Sequence, residues 1–215
     1  MAKLRNKNSS LLQKKTKCYL TQKKLPNLFI ISGCNGAGKT TASFTILPEL
    51  LKIKEFVNAD EIARGLSPFQ PDSVSIEAGR IMLYRLQELI SQKVDFAFET
   101  TLASRSFVGL INKAREKGYT INLIYYWLDS TGLAIERVKI RVAEGGHHIA
   151  TDTIIRRYYP GIKNFIHLYK DNVDYWMFID NSKTLPELIA EGRMQETDRV
   201  NNLQKWNLIT KNAYE

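Results

Sequence analysis

The sequence predicts an α/β fold, a five-stranded, mostly parallel sheet flanked by helices. Three observations predict it. Short apolar runs rich in β-formers alternate with stretches whose apolar residues recur at helical spacing. Glycine, proline and capping residues punctuate the turns between them. The chain has 215 residues, 44% hydrophobic and 25% charged, which suffices for a sizeable core.

Pro26 closes a polar stretch, and Leu28 to Ser32 is a short apolar run before a glycine-rich turn, which reads as a buried strand. Thr40 to Leu51 repeats at helical spacing, and Phe56-Val57-Asn58 is a second short strand leading into Ala59-Asp60. Pro71-Asp72-Ser73 opens a helix in which Ile76, Ile81, Met82, Leu86 and Ile90 recur through to about Gln92. Phe96-Ala97-Phe98 is the third strand, Ser104 to Lys117 a helix ended by Gly118, and Tyr119 to Leu128 the fourth strand. Ser130 is placed to cap a helix that runs to about Glu144 and stops at Gly145-Gly146. Thr151 to about Asp171 reads as helix around a break at Pro160-Gly161. Tyr175 to Asp180 is the fifth strand, and helix is expected from about Leu185 onward. Ligands of parallel sheets bind outside the carboxyl ends of the strands. That rule makes Gly33–Thr41, Asn58–Asp60, Glu99–Thr101 and Asp129–Ser130 neighbours in space.

Composition excludes several classes. No apolar stretch is long enough to span a bilayer, and the basic start is not followed by the apolar segment of a secretory signal. Two cysteines, Cys18 and Cys34, cannot build a disulfide framework, so a reducing, cytoplasmic setting is expected. The formal net charge is +9, but eight basic residues and no acidic one lie in residues 1–24. The remainder holds 23 basic residues against 22 acidic, so the folded body is nearly neutral. The division expected is a basic extension over 1–25 and one domain over 26–215. The extension has one aromatic, Tyr19, so the stacking platform of a single-strand binder is missing and nucleic acid is not the expected partner. An end kinase or RNA-binding ATPase that uses this tail stays open as the alternative.

Gly33-Cys34-Asn35-Gly36-Ala37-Gly38-Lys39-Thr40 matches the phosphate-binding pattern G-x-x-x-x-G-K-[ST] and falls between a strand and a helix, as that pattern requires. A chance match is expected in roughly one chain of this length per hundred. The turn points backbone N–H groups at phosphate oxygens, and the helix behind it adds its positive end. The fold is therefore a P-loop NTPase fold, and Gly33 to Thr41 is its nucleotide site. Lys39 is placed to reach the outer phosphates of ATP, and the Thr40 hydroxyl to ligate Mg²⁺. Cys34 stands where a thiol either becomes reactive or serves as a spacer.

The base-reading N-K-x-D motif of guanine switches is absent: Asn6-Lys7 and Asn112-Lys113 lack the aspartate. Single acids instead follow strands two and three, Asp60 and Glu99. A small-molecule kinase needs one carboxylate to take the acceptor's proton and another to hold metal or substrate. Helix capping is the rival role for Asp60. Phosphoryl transfer also needs cations that exclude water. Arg137 and Arg141 share a helix face, and Arg156-Arg157 follow the Gly145-Gly146-His147-His148 turn, so residues from about 137 to 165 read as an Arg-rich lid. The paired histidines lack further ligands at metal spacing.

Four features together resemble the zeta toxin family of P-loop kinases, which have a nucleoside-monophosphate-kinase-like core. They are the cradle, Val57-Asn58-Ala59-Asp60, Phe98-Glu99-Thr100-Thr101-Leu102, and Arg137 to His147 with Arg156-Arg157-Tyr158. The resemblance implies ATP with Mg²⁺, Asp60 as proton acceptor, Lys39 and Thr40 at the phosphates, and Glu99 and Thr101 at substrate. It implies Arg141 and Arg157 as the arginines of the transition state. It further implies a sugar hydroxyl of UDP-N-acetylglucosamine as acceptor and a small helical antitoxin as partner. One position departs from the family pattern E-x-T-x-R: Ala103 stands where the arginine is expected, with Arg105 two residues on as the candidate substitute.

Overall fold

Among the described residues, seven strands form the sheet, in the spatial order β2 (Glu55–Val57), β3 (Phe96–Thr100), β1 (Asn27–Gly33), β4 (Thr120–Trp127), β5 (Tyr175–Asp180), β6 (Glu187–Arg193) and β7 (Arg199–Val200). The computed structural model describes residues 25–49, 51–146, 148–194, 196 and 198–214; the basic N-terminal extension and His147 lie outside them. Strand β1 (Asn27–Gly33) pairs in parallel with β3 (Phe96–Thr100) and with β4 (Thr120–Trp127). Leu28 stands opposite Phe96 on one side and Ile121 on the other. All three are fully buried, which is why these strands read as apolar runs without alternation. β2 (Glu55–Val57) and β5 (Tyr175–Asp180) complete the parallel portion.

The helices are α1 (Lys39–Glu49), α2 (Ala59–Leu66), α3 (Ser75–Gln92), α4 (Phe107–Glu116), α5 (Thr131–Ala143), α6 (Thr151–Asn164) and α7 (Leu203–Tyr214). Ser130 caps α5 as expected, its hydroxyl accepting from the Leu133 N–H. Pro71 does open its segment, but Pro71–Val74 is a 3₁₀ turn that precedes α3. The segment after β3 becomes helical only at Phe107, because the Ser104 hydroxyl takes the Ser106 N–H and holds the chain in a turn.

Two expectations are corrected. Pro160 does not break its helix: α6 runs through it to Asn164 and continues as a π-helical turn over Phe165–Tyr169. The hydrogen bond lost at proline is outweighed by packing, since Tyr158, Gly161, Ile162 and Asn164 are all buried on one side of that helix. The second correction adds two strands. Helix was expected from Leu185, but β6 (Glu187–Arg193) and β7 (Arg199–Val200) extend the sheet antiparallel, and only α7 is helical. Without β6, the outer edge of β5 would lie unpaired. Gly192 is the residue that permits the pairing, because a Cβ there would lie 2.7 Å from the Trp176 ring. Trp206 of α7 then stacks on Trp176 at 5.6 Å and meets Phe178 edge-on. An aromatic core of Tyr125, Phe165, Trp176 and Phe178 results, with Tyr125 stacked on Phe178 at 4.9 Å.

Candidate active site

The turn after β1 has the conformation its glycines permit. Gly33 has φ 134, and a Cβ there would lie 2.0 Å from the Tyr126 carbonyl oxygen, so only glycine lets β1 pass β4 at this point. Lys39 is buried, and its Nζ donates to the Cys34 carbonyl at 2.9 Å, arching across the turn. Across the sheet, Asn181 donates to the Ala37 carbonyl at 2.8 Å, and Arg137 grips the carbonyls of Asn181 and Ser182 at 2.8 and 3.0 Å. Arg137 thus braces the loop that braces the cradle. Burial pushes the Cys34 thiol up to about 11, against the opposing pull of Lys39, so it is protonated at neutral pH and acts as a spacer.

A cleft of about 1020 Å³ opens from the cradle, beginning at Asn35 and Lys39 and running between α3 and α6. It brings together residues that are far apart in sequence: Asp60, Glu99, Thr101, Arg156 and Arg157 all line it. The capping alternative for Asp60 is settled by geometry. Asn58 is the N-cap of α2, its Oδ1 accepting from the Asp60 N–H at 2.8 Å. Asp60 sits in the first helical turn, half-buried, and no described residue hydrogen-bonds its carboxylate.

Glu99 is the penultimate residue of β3, its side chain 9% exposed, and its carboxylate turns toward the cradle. Oε2 accepts from the Thr40 hydroxyl at 2.8 Å and from Asn58 Nδ2 at 3.0 Å, while Oε1 lies 3.5 Å from Lys39 Nζ. Thr101 follows on a bent loop in which buried Leu102 adopts φ 55, a left-handed conformation costing about 1–2 kcal/mol for a side-chain-bearing residue. The loop is over-determined: Leu102 N–H donates to Thr100 Oγ1 at 3.1 Å, Asn164 of α6 donates to the Leu102 carbonyl at 2.7 Å, and Tyr169 donates to the Ser104 carbonyl at 2.7 Å.

The remaining predicted residues separate. Arg157 is half-buried in the cleft wall, with Arg156 beside it. Arg141 and Arg105 are not among the lining residues, and Arg105 is exposed in the turn before α4. Arg80 escapes sequence reasoning, while for Asn58 and Asn35, both expected near the site, the structure adds what their side chains do. Arg80 reaches the cleft from mid-helix in α3, where the strand-end rule does not look. Asn58 works with both ends of its amide. The side chain of Asn35 lines the cleft with its Oδ1 buried and unpartnered. The Val57-Asn58-Ala59-Asp60 stretch was the available signal for Asn58; an N-cap asparagine after a strand predicts the helix it starts.

Among the described residues, no group of three or more His, Cys, Asp or Glu is placed to hold a metal. A magnesium ion that keeps most of its waters needs less: one or two oxygen ligands and the nucleotide phosphates. The Thr40 hydroxyl and Glu99 carboxylate, 2.8 Å apart beside the cradle, fit that requirement.

The sequence model of the zeta toxin family, "Zeta toxin", matches residues 9–174. The chain belongs to the zeta toxin family of P-loop kinases. An uncharacterized protein of Haemophilus influenzae is 33% identical over 127 residues, covering 59% of this chain and 88% of that protein. Among solved structures, AvrRxo1-ORF1 in complex with AvrRxo1-ORF2, with sulphate ions, superimposes with a TM-score of 0.73 at 17% identity over 93% of this chain and 67% of that one. The PezAT toxin-antitoxin system of Streptococcus pneumoniae gives 0.60 at 14% identity over 95% and 94%. These likenesses show the fold over 93% and 95% of the chain. The family match ends just before β5, so β5, β6, β7 and α7 lie beyond it. No helix among the described residues is long and apolar enough to cross a membrane.

Proposed function

We propose that the chain is an ATP-dependent kinase that phosphorylates a hydroxyl of a small metabolite, with a UDP-sugar such as UDP-N-acetylglucosamine as the first acceptor to test. The observation that carries this reading is the meeting, in one cleft, of the cradle lysine, the unpartnered Asp60 carboxylate and Arg157. Asp60 takes the proton of the acceptor hydroxyl as its oxygen forms the new bond to the γ-phosphorus and ADP leaves. Lys39 and Arg157 neutralise charge on the moving phosphoryl group and keep water from it. Arg157 has this role in preference to Arg141 because it lines the cleft and Arg141 does not. Thr40 and Glu99 would hold a magnesium ion, which would supply positive charge against the phosphates of ATP. Thr101 and Arg156 are left to orient the acceptor, with α6 over the cleft as part of the lid.

AvrRxo1-ORF1 and PezAT are each described with a partner or antitoxin, which supports a small antitoxin as a partner of this chain too. The test is direct. Full-length protein is incubated with ATP, Mg²⁺ and UDP-N-acetylglucosamine, and with a 5′-hydroxyl oligonucleotide in parallel, and products are weighed by mass spectrometry. A phosphate added to the sugar nucleotide is the expected result. Phosphate added only to the oligonucleotide would replace this reading with an end-kinase one.

A further inference from the structure

We propose that Asn58 is a positioning residue that holds Glu99 on the metal side of the cradle and so ties the magnesium end of the site to the helix carrying Asp60. The proposal rests on the kinase reading above and adds a role to a residue that has none in it.

The geometry is that of a bridge. Asn58 is buried, 7% exposed, and both ends of its amide are used. Its Oδ1 accepts from the Asp60 N–H at 2.8 Å, which caps α2 and fixes the first turn on which Asp60 sits. Its Nδ2 donates to Glu99 Oε2 at 3.0 Å, the same oxygen that accepts from the Thr40 hydroxyl at 2.8 Å. The far oxygen of that carboxylate faces Lys39 at 3.5 Å. Among the described residues, every polar contact of the Glu99 carboxylate therefore comes from the cradle or from Asn58. The carboxylate faces the cradle.

Asparagine is the side chain this place requires. Serine, threonine or aspartate would cap α2 as well, but none offers a second arm that donates to a carboxylate. Without that donor Glu99 loses one of the two hydrogen bonds that aim its Oε2. Groups that orient a metal's ligand commonly shift metal affinity by about 10–100-fold when removed.

The experiment follows the binding of N-methylanthraniloyl-ATP by fluorescence, in EDTA and then across a magnesium titration, and requires no acceptor. Asn58→Ser keeps the cap and removes the bridge. Its nucleotide affinity in EDTA should stay within about twofold of wild type, while the magnesium needed for tight binding rises about tenfold or more. Glu99→Gln should show at least the same rise. Thermal melting separates folding from function: a merely structural Asn58 would lower the melting temperature and leave the magnesium dependence unmoved. Coincident magnesium titrations for Asn58→Ser and wild type overturn the proposal. If Asn58→Ser does not fold, a wild-type magnesium titration for Glu99→Gln overturns it instead. Wild-type protein that binds no nucleotide with or without magnesium would sink the kinase reading itself, a result that cannot be confused with the other two.

Discussion

The two ends of the sheet use their carboxylates in opposite ways. At the β5–β6–β7 end each acid is matched by a partner from the protein. Lys205 of α7 bonds both Asp180 and Glu187, the latter at 2.7 Å, and Asn202 donates to Glu187 at 2.7 Å. Tyr175 donates to Glu191 at 2.7 Å. At the β2–β3–β1 end Asp60 has no such partner among the described residues, and Glu99 faces the phosphate cradle. The first end is closed by aromatic stacking around Trp176 and Trp206; the second opens into the cleft. The difference teaches where to look for chemistry. A partly buried acid already matched by a fixed lysine stabilises a fold, whereas one left unmatched in a cleft is available to a ligand.

Substitutions at the two ends should therefore fail differently. The largest effect is expected from Arg157→Ala, which should slow phosphoryl transfer by about 10³–10⁵ with melting unchanged, read from single-turnover kinetics with whichever acceptor the phosphorylation assay reveals. A loss under tenfold would remove that arginine from the transition state. Asp60→Asn should cost about 10²–10⁴ in turnover while leaving ATP affinity intact. If instead it mainly shifts the melting temperature, Asp60 serves the fold as the acids at the far end do. At the far end, Trp206→Ala should destabilise by about 3–5 kcal/mol in urea denaturation, since it removes a ring stacked on Trp176, and should leave nucleotide affinity of the folded fraction unaltered.

The smallest effect concerns acid. Hydrogen bonds from Lys205 and then Asn202 hold the Glu187 carboxyl below its usual range. For Asp180, burial pushes upward, but the bonds from Lys205 and Ser182 outweigh it and the net shift is down. Carboxyls lowered in the folded state stabilise fully above their ordinary range, and that stability is lost as pH falls through the lowered folded values. Wild-type melting should therefore drop on acidification below about pH 4. Lys205→Met should lower melting by a few degrees at neutral pH and show a shallower drop in acid. Parallel acid profiles for the two proteins would show that Lys205 is not the cause.

What the sequence made legible follows from local signals. β1, the cradle and α1 could be read because an apolar run, fixed glycines and a lysine lie within fourteen residues. Asp60 and Glu99 could be placed by the strand-end rule, and they do line one cleft. The rest depended on partners distant in sequence. Glu187 to Arg193 becomes a strand because β5 offers an edge and Gly192 fits beneath Trp176, and neither fact is local. Likewise helical spacing put Arg137 and Arg141 on one face, but it could not tell that Arg137 reaches across to Asn181 and Ser182 while Arg157 turns into the cleft.

The join between the C-terminal addition and the cradle bears on how this protein can be shortened. A chain trimmed to the matched segment would end before β5, losing Asn181, which supports Ala37, and stripping Trp176 and Phe178 from Tyr125 and Phe165. Such a fragment would present a raw strand edge and a greasy aromatic strip to solvent, conditions under which polypeptides precipitate. Expression and crystallisation efforts need the final forty residues or so, even though family comparison alone would let them go.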